Sequence, residues 1–274
     1  MAAAEPGLLV LTDRDFARVR RLIYDYAGIK LGEQKRNMVY NRLVRRLRSL
    51  GEVAFARYLD LVQSDGSTER EAFVNALTTN LTSFFREPHH FELLAARASE
   101  PSRASSGPMR IWSAGCSTGE EAWSIAMVMR EAGRAADILA TDIDSEVLRV
   151  AQAAEYRTER TDGMPLARVK RHFLRGVGAN EGLLLVRPQL RSMVRFAQLN
   201  LQAPAWPVGE RLDAIFCRNV VIYFDREVQR QLAARFAAML APGGLLLVGH
   251  SESFPAAHPA FRSCGRTAYE RRPG

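Results

Sequence analysis

Apolar positions recur with a helical period through the first third of the chain and then change to strand-length runs separated by helical stretches. In FARVRRLIYDYAG, apolar side chains fall at positions 16, 19, 22, 23 and 26, the spacing of one helix face. Thr12 or Asp13 can cap this helix and Gly28 can end it. The stretch EQKRNMVYNRLVRRLRSLG places Val39, Tyr40, Leu43, Leu47 and Leu50 on one arc, with Lys35, Arg42, Arg45 and Arg46 away from it. Gly51 marks its end. VAFARYLDLVQ and EREAFVNALTTN predict two further helices, giving an all-helical N-terminal domain over residues 8–80.

After the loop PSRASSGP the period changes. MRIWSAG predicts a strand running through a glycine loop into the helix EEAWSIAMVMREAG. DILATDID predicts a second strand, followed by the helix SEVLRVAQAAEY. LDAIFC, REVQRQLAARFAAML, APGG and LLLVGHS read as strand, helix, turn and strand. Such alternation indicates an α/β domain with a doubly wound, mostly parallel sheet, over residues 81–274. Residues 157–197 break the rhythm. GLLLVRPQL and SMVRFAQ read as short strands and GVGANEG as a hairpin turn, which predicts a small antiparallel β insertion.

Composition adds bounds. At 274 residues the chain is comfortable for two domains, and 47% apolar with 25% charged residues is an ordinary globular balance. No apolar run approaches the roughly 20 residues of a membrane span. The N-terminus lacks a basic region ahead of its short apolar run, so no signal peptide is expected. Cys116, Cys217 and Cys264 are too few and scattered for a disulfide framework, which fits a reducing cytosol. His89, His90, His172, His250 and His258 show no metal-ligand spacing, so packing or surface roles and no metal are expected. Charge is uneven: residues 35–48 and 157–195 each carry net +6, leaving −4 elsewhere in a chain of +8. The two basic segments raise the question of acidic partners.

The loop in WSAGCSTGEEAW lacks the third glycine of a dinucleotide fingerprint, and Glu120 stands where a phosphate-binding loop would have lysine. Glu120 and Glu121 occupy the positive end of the helix and oppose a phosphate there. The expected ligand is a nucleoside without phosphate, and cationic. S-adenosylmethionine, with its sulfonium and ammonium groups, fits. Asp142 ends the second strand 23 positions after Gly119, where an acid contacts ribose hydroxyls. Methyl transfer from a sulfonium needs an aligned nucleophile, and a carboxylate acceptor is already ionised at neutral pH. RNVVIYFD, following LDAIFC, and TTNLTSFFREPHHF, beside the domain junction, are the candidate acceptor stretches.

These stretches closely resemble the chemotaxis receptor methyltransferases, the CheR family. The resemblance runs in order through LIYDYAGIKL, KRNMVYNRLVRRLRSLG, LTTNLTSFFREPHHF, IWSAGCSTGEEAWSIAM, ATDIDSEVL, FAQLNL, DAIFCRNVVIYFD and APGGLLLVGHSESF. It implies a class I, Rossmann-like methyltransferase fold and methyl transfer from S-adenosylmethionine to receptor glutamates, with S-adenosylhomocysteine as product. Asn80, Thr82, Arg86, Gly115, Glu121, Asp142, Asn200, Leu201, Arg218 and Asn219 would hold the cofactor, leaving Glu120 as a helix-start acid. Arg86 and Tyr223 match the pair beside the transferred methyl. Ala122 and Trp123 stand where many relatives have Pro-Tyr.

By the same resemblance, the helix carrying Arg42, Arg45 and Arg46 would face the receptor's glutamate-rich methylation helices. The insertion, through Arg175, Gly176, Gly178 and Arg187, would dock an acidic, aromatic C-terminal pentapeptide of the receptor as an added strand. A cytoplasmic monomer recruited to membrane receptor arrays is expected, without membrane insertion or nucleic acid. Two other readings stand beside this one. A nucleic-acid methyltransferase would use the basic segments on phosphates, but RNVVIYF replaces the Asn/Asp-Pro-Pro-aromatic motif common in amino-methylating enzymes. A non-catalytic S-adenosylmethionine sensor would have a damaged acceptor site, whereas Arg86, Asn219 and Tyr223 are present.

Overall fold

The structure, a computed structural model, describes residues 9–100, 107–253, 256 and 258–273. The chain forms two compact units. One holds the residues up to Thr79 together with Tyr223–Asp225, and the other holds Asn80–Ile222 with the chain from Arg226 onward. No helix among the described residues is long and apolar enough to cross a membrane.

The first unit is helical: α1 (Asp13–Ala27), α2 (Arg36–Leu50), α3 (Phe55–Gln63) and α4 (Glu69–Leu77). Thr12 caps α1 reciprocally. Its hydroxyl accepts the Asp15 N–H at 3.1 Å, and the Asp15 carboxylate accepts the Thr12 N–H at 3.3 Å. Gly28 and Gly51 close α1 and α2 in the left-handed conformation. On α2 the predicted arc is shifted slightly. Val39, Leu43 and Leu47 are fully buried and Val44 joins them, while Leu50 is exposed at the fraying last turn. Tyr223–Asp225 join this unit through the Lys30 N–H, which donates to the Tyr223 carbonyl at 2.8 Å, and the Tyr24 hydroxyl, which donates to Asp225 at 2.7 Å.

The second unit runs α5 (His89–Ala98), β1 (Met109–Ala114), α6 (Glu120–Glu131), β2 (Ala136–Asp142), α7 (Ser145–Ala153), β3 (Glu155–Arg157), α8 (Leu166–His172), β4 (Phe173–Arg175), β5 (Leu183–Val186), α9 (Pro188–Arg191), β6 (Val194–Gln198), β7 (Leu212–Cys217), α10 (Arg226–Met239), β8 (Leu240–Val248), β9 (Phe261–Gly265) and β10 (Ala268–Arg271). Its main sheet has the order β6-β2-β1-β7-β8-β10-β9. The first five strands pair in parallel, and β10 and β9 add an antiparallel edge. From β1 the chain winds outward through β2 to β6, then returns to β7 on the other side. That reversal opens a crevice at the carboxyl ends of β1 and β7, where doubly wound sheets bind ligands. A separate antiparallel sheet has the order β3-β5-β4.

Three features differ from the sequence expectation. SMVRFAQ forms a strand, β6, but in the main sheet parallel to β2 and outside the antiparallel insertion. Val194 is buried and Phe196 packs on Trp123 of α6 at 5.3 Å between ring centroids, which draws the segment to the sheet edge. APGG is a bulge inside β8, where pairing with β7 shifts register between Leu212 and Ala214. The β9–β10 hairpin lies in sequence for which no element was expected. Helix α6 is buried on every side from Glu120 to Met129, as befits a helix under a sheet and a helix layer at once.

Candidate active site

The loop between β1 and α6 is shaped by its glycines. Gly115 has φ +91° and Gly119 φ +95°, a region other residues rarely enter. A Cβ on Gly115 would collide with Val220, and one on Gly119 would lie 2.8 Å from the Ala151 Cβ. The Gly115 and Cys116 N–H groups donate to the Thr141 carbonyl at 2.8 and 2.9 Å, which draws the loop against the end of β2. The Ser117 N–H then reaches Asp142 at 2.8 Å, and its hydroxyl donates to the Asn80 carbonyl at 3.0 Å.

Asp142 closes β2 and also accepts the Asp144 N–H at 3.0 Å. Burial raises its pKa to about 6, against the opposing pull of those backbone donors. Such a carboxylate favours further hydroxyl donors, as a ribose supplies. Asn80 is set beside it, donating from its side chain to Asp144 at 2.8 Å. The Leu199 N–H donates to the Asp142 carbonyl at 2.9 Å, bringing Asn200 and buried Leu201 alongside. The Asn200 side chain accepts the Gln202 N–H at 2.8 Å.

The two glutamates at the start of α6 are buried and each has an arginine. Glu121 accepts from the Ser113 hydroxyl at 2.7 Å and from Arg218 Nη1 at 3.0 Å. Arg218 is buried too, donates from Nη2 to the Arg86 carbonyl, and lies 3.6 Å from Glu87. Glu120 is fully buried, accepts the Thr118 hydroxyl at 2.6 Å and pairs with Arg160. Arg160 also donates to the Thr82 carbonyl at 3.2 Å. The two carboxylates that sequence set against phosphate are thus each compensated, and Glu120 is a buried ion-pair partner as well as a helix-start acid.

The opposite wall follows β7. Asn219 adopts φ +60° and its N–H donates to Glu252 at 2.8 Å. The same carboxylate accepts the N–H groups of Val221 at 2.8 Å, Ile222 at 3.3 Å and Gly249 at 2.6 Å. Four backbone donors on one buried carboxylate hold the loop after β7 to the loop after β8. Sequence reasoning did not single out Glu252, although it lies in GHSES directly beyond a parallel strand. The Arg86 side chain donates to the Leu81 carbonyl at 2.9 Å. Arg86 belongs to the second unit and Tyr223 to the first.

The remaining predicted positions divide by exposure. In the helical unit Arg42 donates to the Thr78 carbonyl at the end of α4, and Arg46 grips Glu69 with Nε at 2.8 Å from its carboxylate. Arg45 is exposed. In the small sheet, exposed Arg175 ends the edge strand β4. The Gly176 N–H donates to the Leu183 carbonyl at 2.9 Å, Gly178 has φ +59°, and Arg187 reaches the Lys170 carbonyl at 3.3 Å. Cys116 and Cys217 are fully buried thiols whose pKa values burial pushes well up. His172 is held by Glu131 at 2.8 Å. His90 is fully buried, and burial lowers its pKa to about 4, so it is neutral at pH 7.

The family described as CheR methyltransferase, all-alpha domain, matches residues 14–78, and CheR methyltransferase, SAM binding domain, matches residues 80–269. The chain is 49% identical over 266 residues to the Chemotaxis protein methyltransferase of Escherichia coli (strain K12), covering 95% of this chain and 92% of that protein. It is 48% identical over 262 residues to Chemotaxis protein methyltransferase 2 of Pseudomonas aeruginosa (strain PAO1), covering 94% and 93%. Both domain families match in order and the relatives are covered almost end to end, so this chain belongs to the CheR family of S-adenosylmethionine-dependent methyltransferases.

Proposed function

We propose that the chain transfers the methyl group of S-adenosylmethionine to glutamate side chains of chemotaxis receptors, forming methyl esters. The observation that carries this reading is the pairing of the acids behind the loop, Glu121 with Arg218 and Glu120 with Arg160. A carboxylate held in an ion pair is a poor general base, and a glutamate acceptor requires none because it is already ionised. The reaction then depends on alignment: the carboxylate oxygen attacks the methyl carbon, the carbon–sulfur bond breaks, and S-adenosylhomocysteine leaves.

In this reading Asp142 takes the ribose hydroxyls and Glu121 the methionine ammonium. Asn80, Thr82, Gly115, Asn200, Leu201, Arg218 and Asn219 line the remainder of the cofactor site. Arg86 orients the acceptor carboxylate and Tyr223 contacts the carboxylate or the methyl. The receptor's acidic helices meet α2, with Arg45 the exposed member of the trio Arg42, Arg45 and Arg46. The edge strand β4, which carries exposed Leu174 and is followed by exposed Val177, takes a receptor-tail pentapeptide as an added strand beside Arg175, Gly176, Gly178 and Arg187. Tethering through a flexible linker would raise local receptor concentration to about the millimolar range. The chain would act as a cytosolic monomer at membrane receptor arrays.

The test is methyl transfer from radiolabelled S-adenosylmethionine to receptor-enriched membranes. Base-labile label on receptors is the expected result. Tight cofactor binding with no label on any receptor of a panel would overturn the substrate assignment. Calorimetry with tail pentapeptides tests docking separately, and an absence of binding removes that part alone.

A further inference from the structure

The segment REPHHF, part of the candidate acceptor stretch TTNLTSFFREPHHF, brings metal-ligating groups together. Phe85 and Glu87 both take positive φ, +52° and +55°, so the chain doubles back before Pro88 opens α5. Each of Glu87, His89 and His90 offers a ligand atom, and these atoms lie within 4.8 Å of one another. All three belong to the second unit.

Two atoms in this cluster lack a hydrogen-bond partner. His90 is fully buried, and its Nδ1 has no hydrogen-bond partner. Glu87 Oε2 is also buried and without a hydrogen bond, and it sits between that Nδ1 at 3.7 Å and the Arg218 guanidinium at 3.6 Å. Buried polar atoms are rarely left in this way. The outer nitrogens of the two rings are already engaged. His90 Nε2 is 3.0 Å from the Thr267 hydroxyl, and His89 Nε2 faces the Arg266 carbonyl at 3.2 Å. When Nε2 donates to these oxygens, each Nδ1 carries the lone pair, the arrangement in which an oxygen behind the ring fixes a metal-ligating tautomer. The His90 lone pair then points at a carboxylate oxygen, a contact that a cation between them would turn from repulsive to attractive. His250 stands on the exposed side with Nδ1 3.3 Å from Glu87 Oε1.

We propose that Glu87, His89 and His90 form a divalent transition-metal site, with His250 at its open side. Two imidazoles and one carboxylate suit Zn²⁺. The site adjoins the cofactor pocket through Arg218, which is shared between Glu121 at 3.0 Å and Glu87 at 3.6 Å. A cation on Glu87 competes with Arg218 for that carboxylate, so metal binding changes how firmly Arg218 holds Glu121. The metal is therefore a modulator of cofactor affinity.

The experiment uses the untagged full chain, stripped with chelator and titrated with Zn²⁺ by calorimetry and with Co²⁺ by visible absorption. The expected result is one ion per chain, with Glu87→Gln and His89→Ala each weakening binding by about tenfold or more. Glu87→Gln preserves shape, and circular dichroism confirms that both variants are folded. No stoichiometric binding by the unaltered chain would overturn the site, as would binding unchanged in both variants. Saturating Zn²⁺ is expected to shift the S-adenosylmethionine Kd by about fivefold. An unchanged Kd with metal bound would remove the coupling through Arg218. Neither measurement depends on the receptor substrate, so both can fail without touching that assignment.

Discussion

Two buried carboxylates stand at the carboxyl edge of the same parallel sheet, and their difference is the one expected between the acid proposed to bind ligand and one that holds the scaffold. Asp142 closes β2 and accepts one close backbone N–H on each oxygen, from Ser117 and from Asp144, with the Ile143 N–H a third and weaker donor. Glu252 follows β8 and accepts two on each oxygen, from Asn219 and Gly249 and from Val221 and Ile222. A carboxylate has about four acceptor positions. Glu252 is saturated by its own backbone, whereas Asp142 keeps acceptor capacity for something else. Burial raises both pKa values, so burial does not distinguish them. The count of occupied lone pairs does.

The comparison predicts opposite failures. Glu252→Ala leaves four N–H groups without their acceptor, those of Val221 and Gly249 buried and those of Asn219 and Ile222 part-buried, and each buried group costs about 1–3 kcal/mol before the loops relax. A loss of about 3 kcal/mol or more in urea denaturation is expected, with cofactor affinity falling as a consequence. If the variant kept full stability and lost only the cofactor, Glu252 would be a ligand and the distinction would fail. Asp142→Ala should do the reverse. Its S-adenosylmethionine Kd should rise about 100-fold, equivalent to about 2.7 kcal/mol, while the denaturation midpoint falls by less than in Glu252→Ala, since two close N–H groups lose their acceptor instead of four. A variant that bound cofactor normally would remove Asp142 from the site.

Protonation offers a gentler version of the same contrast. If the ribose hydroxyls need ionised Asp142, cofactor affinity should fall as pH drops through about 6, by up to about tenfold per unit. The stability effect of this group has the other sign. Its folded pKa lies above the unfolded value of 3.8, so between those values the folded state binds more protons and stability falls as pH rises. Calorimetric affinity (1/Kd) and urea midpoints, each compared with Asp142→Asn between pH 4 and 8, should therefore move in opposite directions, affinity rising and the midpoint falling as pH rises. Parallel trends would show that Asp142 titration does not govern binding.

The same logic explains how much was legible in sequence. Asp142 could be placed because it ends an apolar strand at a familiar distance from a glycine loop, and the helical unit because its apolar positions repeat and glycines close its helices. Glu252 could not, because its partners are backbone N–H groups, which have no residue signature. The arginines that neutralise Glu120 and Glu121 come from positions 160 and 218, and no local pattern links them. Counting the carboxylates without those partners overstated the negative charge behind the loop. Strand β6 was assigned to the wrong sheet because its period suits either, and packing of Phe196 on Trp123 decides.

The smallest expected effect tests whether the basic helix divides in the same way as the two acids. Arg42 and Arg46 are committed within the helical unit, to the end of α4 and to Glu69, whereas Arg45 is exposed. Arg45→Ala should leave the urea midpoint unchanged and weaken receptor binding by about threefold, as expected for one solvent-exposed charge worth about 0.2–1 kcal/mol. The loss should shrink at high salt, because the contact is screened. Arg46→Ala should instead lower stability, since it strands the nearly buried Glu69 carboxylate, and its effect on receptor binding should follow from that. Methyl-transfer rates on receptor membranes across a salt series, read beside denaturation curves, separate the two. If Arg45→Ala destabilised the fold and Arg46→Ala did not, exposure would be the wrong guide to which arginine meets the partner.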